Sequence, residues 1–167
     1  MIRDPREFFG RRAELARLMD RLQTMQSVSI VGERCIGKSS LLFRLSQSND
    51  QLRQPTRVVY TPLADVKDEP SFYACLLREL GGNGNCFADL ERIVNQTRVV
   101  FCLDEFETVI VGQSFPVSFF NSLRSLAQTG NFALIVATQH SLADLCHNRK
   151  IMTSPFWTSF TAPTWEC

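Results

Sequence analysis

The chain has 167 residues, of which 44% are hydrophobic and 21% charged, and its formal net charge is +1. This length suits one domain with a buried core, and so small a charge gives no global field that would attract nucleic acid or a membrane surface. No apolar run approaches the roughly 20 residues of a spanning helix, the N-terminus is no signal peptide, and the scattered cysteines favour reduced thiols in a cytoplasmic protein.

The first predicted element is an amphipathic helix over residues 11–26. Its apolar stripe recurs at helical spacing and consists of Leu15, Leu18, Met19, Leu22 and Met25. Residues 27–31 alternate polar and β-branched side chains, which predicts a strand. After a loop with two glycines, residues 38–45 predict a second helix that begins at Lys38.

The loop between this strand and this helix reads G-x-x-x-x-G-K-S, the phosphate-binding P-loop. Its glycines let the backbone wrap closely around a phosphate chain, with the N–H groups of the wrap and of the helix N-terminus pointing inward. Lys38 is placed to neutralise the β- and γ-phosphates, and Ser39 to hold Mg²⁺. We expect the nucleotide to be bound by consecutive residues, namely Gly32, Glu33, Arg34, Cys35, Ile36, Gly37, Lys38, Ser39 and Ser40.

Strand and helix patterns alternate along the rest of the chain. Strands are predicted at 57–61, 98–103 and 132–137, and the last two are apolar almost throughout, as in central strands covered on both faces. Helices are predicted from Pro70 to Gly81, over 86–96 and 116–128, and from a Ser141 cap to about residue 146. This order predicts an α/β P-loop NTPase fold, an αβα sandwich with a parallel sheet in the strand order 1-4-3-2.

The third strand ends in an acidic pair that predicts the Walker B motif. Asp104 is expected beside Ser39 in the Mg²⁺ shell, and Glu105 is placed to polarise the water that attacks the γ-phosphate. An acidic turn after a buried strand is common, but a parallel sheet would bring this one next to the P-loop. A Ras-type GTPase would need D-x-x-G here and N-K-x-D later, and neither occurs. The predicted cofactors are therefore ATP and Mg²⁺.

With Glu105 after Asp104, the chain resembles the branch of P-loop NTPases that has an additional catalytic Glu. That resemblance implies that a polar residue at the end of the fourth strand senses the γ-phosphate. Thr138 is the first choice and completes a predicted catalytic set with Lys38 and Glu105, while Gln139 is the second choice. Simple polarity at a strand end explains either residue equally well. By the same resemblance, Arg149 lies near the position where oligomeric relatives present an arginine finger, although a solvated loop explains it more simply.

Several segments together resemble the STAND-type and archaeal-type AAA-like ATPases. They are F-F-G-R-R-A-E-L at 8–15, the P-loop segment at 32–42, L-D-E-F-E at 103–107 and S-P-F at 154–156. The resemblance implies the nucleotide-binding domain of a multidomain signalling switch, whose nucleotide state controls assembly with further copies or effector domains. It also implies that Phe9, Gly10 and Arg11 lie near the adenine or ribose.

The family continues past residues 154–156 into a fifth strand and a small helical lid, which the last residues here do not resemble. We therefore expect one domain over 1–167, truncated on its C-terminal side and lacking that strand and lid. Within it, 8–26 form the N-terminal box and helix, 27–147 the nucleotide-binding core and 148–167 a truncated tail. The strand at 27–31 would then be an exposed edge.

Slow hydrolysis of ATP as the switch of a STAND/AAA-like signalling ATPase is the favoured function. The first alternative is an AAA+ replication-initiator or clamp-loader-like ATPase that acts on DNA. It ranks lower because the N-terminal arginines are balanced by acids and no winged helix is seen. A non-hydrolysing nucleotide-binding fragment is the third possibility. ATP and ADP are the expected ligands, and neither membrane nor nucleic acid is expected as a partner.

Overall fold

The computed structural model describes residues 12–148 and 155–161. Its strands are β1 (Ser27–Val31), β2 (Thr56–Pro62), β3 (Arg98–Asp104), β4 (Phe132–Thr138) and β5 (Phe160–Thr161). Its helices are α1 (Arg12–Gln23), α2 (Lys38–Ser46), α3 (Glu69–Glu79), α4 (Phe87–Val94), α5 (Glu107–Val111), α6 (Val117–Gln128) and α7 (Leu142–Asn148). Short 3₁₀ turns lie at Asn49–Gln51 and Pro155–Ser159. Among the described residues, no helix has the length and apolarity needed to cross a membrane.

The strands form one parallel sheet in the order β2-β3-β4-β1-β5. The order of β1 to β4 confirms the predicted 1-4-3-2 arrangement of a P-loop NTPase fold. In the ladder register Pro62 lies opposite Asp104, and Val31 lies opposite Thr138. Since all strands run the same way, the segments that follow β1, β3 and β4 meet at one edge of the sheet.

Helices cover the sheet on both faces, and the alternation of side chains along each strand divides the core in two. One half packs α1 and α2 against alternate residues of the sheet, among them Val100, Cys102 and Ala137. The other half packs α3, α4, α5, α6 and α7 against the residues between them, among them Leu103 and Val136. Successive residues of a strand therefore face opposite halves of the core, and this alternation also sets the direction of the side chains at the carboxyl ends of the strands, the carboxyl edge of the sheet.

Phenylalanine rings fill much of the second half of the core. Phe119 lies 5.0 Å from both Phe72 and Phe115, measured between ring centroids. Phe156, only 2% exposed, lies 5.5 Å from Phe120 and 5.0 Å from Phe160. The described segment at 155–161 is thus anchored in the same apolar core as α6.

Two features differ from the sequence-based expectations. A fifth strand does exist, because Phe160 and Thr161 pair in parallel with Ser27 and Val28, so the expectation of a missing fifth strand is wrong. The edge of β1 is therefore covered along its first two residues and is not the fully open edge that the sequence predicted. The short helix α5, which directly follows the acidic pair, is absent from the sequence-based prediction.

Candidate functional site

A cleft of about 510 Å³ lies at the carboxyl edge of the sheet, where β1, β3 and β4 end. The P-loop, the acidic pair, α5 and the residues after β4 line it. Its lining consists of Arg34, Cys35, Gly37, Lys38, Ser39, Ser40, Asp104, Glu105, Glu107, Ala137 and Gln139. The structure thus brings the P-loop and the acidic pair together at one cleft, while the roles assigned to their residues stay predictions.

The P-loop backbone takes the conformation that its glycines permit. Gly37 has φ 89° and is the N-cap residue of α2, a left-handed conformation that costs glycine little. A Cβ added to Gly32 would collide with Cδ1 of Ile36, so that side chain closes over the start of the loop. Cys35 also has a positive φ of 64°, which is uncommon for a residue with a side chain and often marks a functional loop.

The ammonium group of Lys38 is held at the mouth of this loop. Its Nζ donates hydrogen bonds to the backbone carbonyl of Gly32 at 2.5 Å and to that of Glu33 at 2.7 Å. Both acceptors are neutral, so they orient the cation without neutralising its charge. A phosphate oxygen that entered the cleft would therefore meet a positioned, uncompensated positive charge.

Asp104 is the last residue of β3 and points to the same face of the sheet as α2. It is only 7% exposed, and both of its carboxylate oxygens accept hydrogen bonds. The hydroxyl of Tyr60 donates to Oδ2 at 2.9 Å, and the backbone N–H of Glu105 donates to Oδ1 at 3.1 Å. Asp104 is thus a buried, oriented carboxylate on the wall of the cleft.

Glu105 is exposed and lines the cleft from a left-handed backbone conformation with φ 57°. Such a φ costs a residue with a Cβ about 1–2 kcal/mol. Hydrogen bonds on both sides hold the turn, since Phe106 donates its N–H to Ala137 at 3.1 Å and Thr108 donates to the Glu105 carbonyl. The strained turn aims the Glu105 side chain at solvent in the cleft and not into the core.

The two candidates for the sensor, Thr138 and Gln139, differ in whether their side chains line the cleft. Thr138 is fully buried, and its hydroxyl donates to the backbone carbonyl of His140 at 2.8 Å. Thr138 shares the face of Val136, away from α2, and does not line the cleft. Gln139 does line it, and its Nε2 donates to Oε1 of Glu107 at 3.0 Å. Of the two candidates, Gln139 is therefore the one that lines the cleft, and the assignment of a sensor stays a prediction.

Other predicted residues fall in three groups. Ser40 lies at the cleft but is largely buried, while Glu33 and Ile36 support the loop and are not part of the lining. Phe9, Gly10, Arg11 and Arg149 lie outside the described residues. Tyr60 and Glu107 were missed by the sequence analysis, although Tyr60 stands on β2 at a position whose side chain shares the face of α2.

The residues present fit a magnesium ion and a nucleotide. Mg²⁺ prefers oxygen ligands and is commonly held by one or two protein groups together with phosphates. The Ser39 hydroxyl and the Asp104 carboxylate are such groups, and both line the cleft. The N-terminus of α2 behind a left-handed glycine supplies the N–H groups that an anion requires.

Residues 20–146, more than half of the chain, match the protein family described as AAA domain. The chain belongs to this family. It is thus an AAA nucleotide-binding ATPase domain, and the resemblance to AAA-like ATPases is confirmed, while the narrower STAND assignment stays a prediction. No curated protein matches the sequence of this AAA domain significantly.

Solved structures with the same fold include the ORC2 protein of Aeropyrum pernix in ADPNP–ADP complexes, with a TM-score of 0.71 and 15% identity over 95% of this chain and 48% of that one. A Walker-type ATPase of Pyrococcus abyssi matches with a TM-score of 0.65 and 15% identity, over 95% of this chain and 55% of that one. Drosophila ORC bound to DNA matches with a TM-score of 0.63 and 16% identity, over 83% of this chain and 39% of that one. The AAA domain thus spans about half the length of these structures, or less.

Proposed function

We propose that this AAA domain binds Mg-ATP in the cleft and hydrolyses it slowly. The observation that carries the proposal is the convergence of Lys38, Ser39, Asp104 and Glu105 on one cleft at the N-terminus of α2. A phosphate chain needs donors and positive charge, and its hydrolysis needs a carboxylate near an attacking water. In this cleft the P-loop and the start of α2 offer the donors and the positive charge, and the segment after β3 offers the carboxylate.

Binding is assigned to the P-loop and its two polar side chains. Lys38 exchanges its two backbone carbonyl partners for oxygens of the β- and γ-phosphates, and the N–H groups at the start of α2 hold the chain in place. Ser39 and Asp104 hold the magnesium ion. When bound, that ion neutralises negative charge on the phosphates as the bond to the γ-phosphate breaks.

Hydrolysis is assigned to Glu105 and Gln139. Glu105 orients a water molecule and takes up its proton as the water attacks the γ-phosphate. Gln139 donates its amide N–H to the γ-phosphate, and Glu107 sets the direction of that amide through the 3.0 Å hydrogen bond between them. The slow rate follows from an exposed Glu105, because water around the carboxylate weakens electrostatic preorganisation.

Glu105→Gln tests this proposal because it keeps the shape of the side chain and removes its basicity. We expect phosphate release to fall by about 10²–10⁴-fold while the affinity for a fluorescent ATP analogue stays within about twofold. Glu91→Gln, on the exposed surface of α4, is the matched control and should keep the wild-type rate. A Glu105→Gln protein that released phosphate at the wild-type rate would remove Glu105 from the mechanism.

We further propose that the nucleotide state switches assembly of this domain with further copies or effector domains, as the resemblance to STAND ATPases implies. The supporting feature is a cleft whose walls, the P-loop, α5 and the β4 end, come from separate segments that nucleotide would bridge. Light scattering after size-exclusion chromatography, with a slowly hydrolysed ATP analogue or with ADP, measures it. The same mass in both states would argue against a switch.

Action on DNA remains the second candidate, because one structure with this fold is Drosophila ORC bound to DNA. The net charge of +1 gives this chain little electrostatic attraction of its own for a phosphate backbone. Fluorescence anisotropy of labelled duplex DNA, with and without Mg-ATP, separates the two candidates. Salt-sensitive binding that required Mg-ATP would favour the DNA-acting alternative over a signalling switch.

A further inference from the structure

Tyr60 connects the edge strand of the sheet to the acidic end of its neighbour. In the register of β2 and β3, Tyr60 lies opposite Cys102, and Pro62 lies opposite Asp104. Tyr60 and Asp104 thus share one face of the sheet two positions apart along the strand, which is within reach of a long aromatic side chain. The Tyr60 hydroxyl spans this diagonal and donates to Asp104 Oδ2 at 2.9 Å.

The ring of Tyr60 is fixed from the other side by the helix of the P-loop. It packs edge-on against Phe43 of α2, with 5.8 Å between the ring centroids and an interplanar angle of 88°. Helix α2 is also the helix that begins at Lys38 and carries Ser39. Tyr60 therefore contacts both elements that are assigned to hold magnesium.

We propose that Tyr60 is a positioning residue that orients the Asp104 carboxylate toward the magnesium ion of bound Mg-ATP, an inference that rests on the proposed function. The backbone N–H of Glu105 donates to one carboxylate oxygen and Tyr60 donates to the other, so rotation of the group about its terminal bond is restricted. Each oxygen keeps a second lone pair for magnesium or for one of its waters. Hydrogen-bond partners of metal ligands commonly set metal affinity in this way.

A merely structural hydroxyl would behave differently from a positioning one. If the hydroxyl only satisfied a buried carboxylate, its loss would lower stability and weaken every form of nucleotide binding alike. If it orients Asp104, its loss acts on the magnesium-dependent part of binding. The dependence of nucleotide binding on magnesium concentration is therefore the readout that separates these roles.

The sequence offers a matched pair, since the chain has two tyrosines. Tyr60→Phe removes the hydroxyl and keeps the ring against Phe43. Tyr73→Phe does the same in the core on the opposite face of the sheet, where Tyr73 is buried and does not line the cleft. Both variants lose one oxygen atom from a tyrosine that packs in the protein.

Binding of a fluorescent ATP analogue is titrated with Mg²⁺ for wild type and both variants, and binding in EDTA is measured alongside. For Tyr60→Phe we expect the Mg²⁺ concentration at half-effect to rise about tenfold or more, with binding in EDTA unchanged. Tyr73→Phe should follow the wild-type curve. Thermal unfolding of each protein confirms that it is folded at the assay temperature.

Failure of the inference and failure of the proposed function look different. If wild type bound ATP with no response to Mg²⁺, or not at all, the proposed function itself would fall. If wild type responded to Mg²⁺ and Tyr60→Phe gave the same midpoint within twofold, only the role of Tyr60 would be overturned. An equal loss of binding in EDTA and in Mg²⁺ would likewise overturn the positioning role of Tyr60 and leave the proposed function standing.

Discussion

Glu107 and Gln139 form a hydrogen-bonded pair on the wall of the cleft, and one of their oxygens has no partner among the described residues. Oε1 of Glu107 accepts from Gln139 at 3.0 Å. Its Oε2 is buried and finds no hydrogen-bond partner in the part of the chain that the structure describes. An unsatisfied buried carboxylate oxygen is costly, so the pair is held in place by the surrounding fold more than by its own bonds.

We predict that Gln139→Ala slows hydrolysis much more than it weakens ATP binding. Loss of one positioned donor to the reacting group commonly lowers turnover by about 10²-fold or more, whereas the P-loop contacts that dominate affinity stay intact. Phosphate release and fluorescent-nucleotide titration measure the two effects. Gln96→Ala, at an exposed loop position, is the control. Turnover by Gln139→Ala within about threefold of wild type would contradict a sensor role.

At the scale of single residues, the sequence located the P-loop and the acidic pair but could not show which candidate for the sensor lines the cleft. The P-loop motif names its residues directly, because each has a fixed role around a phosphate. By contrast, β4 is apolar from Phe132 to Ala137, so its sequence does not show which face each side chain takes. Only packing against α2 reveals that Thr138 points away from the cleft and Gln139 toward it. For the same reason, the sequence of β2 does not show that Tyr60 faces α2 and Asp104.

At the scale of elements, helix α3 shows how its sequence sets its own start. Asp68 is the N-cap, its carboxylate accepts from the Ser71 N–H at 2.9 Å, and the Ser71 hydroxyl accepts from the Asp68 N–H in return. Hydrogen bonds from the side chain of Ser71 and then from its backbone N–H hold the pKa of the Asp68 carboxyl below its ordinary value. A reciprocal capping box of this kind satisfies donors that the helix itself cannot.

This lowered pKa gives a prediction with a definite sign. A carboxyl whose pKa is lower in the folded state stabilises the fold fully above its unfolded pKa of about 3.9, and the stabilisation is lost as the pH falls through the folded value. Asp68→Ala should therefore be less stable than wild type at about pH 7, by a margin that shrinks at about pH 3. Urea unfolding at both pH values measures it, with Asp65→Ala as an exposed control. A margin independent of pH would contradict the assignment.

The elements that the sequence missed are those whose existence depends on tertiary packing. Strand β5 has two residues and follows a segment that Phe156 anchors in the core. Helix α5 has five residues, which are too few to show a helical period of apolar residues. It follows Glu105, whose left-handed backbone conformation is not indicated by the local sequence. The longer helices and strands were predicted to within a few residues because their apolar periods are long.

At the scale of the whole molecule, the described segment at 155–161 extends the sheet beside the P-loop strand. It is held by Phe156, whose ring lies 6.1 Å from Phe106 in addition to its contacts with Phe120 and Phe160. Loss of this anchor would release β5 and uncover the edge of β1. An uncovered edge strand offers unpaired backbone groups to other chains.

We predict that Phe156→Ala lowers the free energy of unfolding by about 3–5 kcal/mol and increases self-association. Val111→Ala is the control, because Val111 is 61% exposed and its loss should change stability by less than about 0.5 kcal/mol. Urea unfolding and size-exclusion chromatography at matched concentrations report the two effects. A Phe156→Ala protein as stable and as compact as wild type would show that the sheet does not depend on this segment.

The measurement that tests the central claim most directly is titration of wild type and Lys38→Ala with a fluorescent Mg-ATP analogue. Hydrogen bonds to charged groups contribute about 1.5–3 kcal/mol, so the loss of Lys38 should weaken binding by about tenfold or more. Lys67→Ala removes a lysine from an exposed position outside the cleft and should bind like wild type. Equal affinity of Lys38→Ala and wild type, with both proteins folded, would contradict the assignment of this cleft as the ATP site.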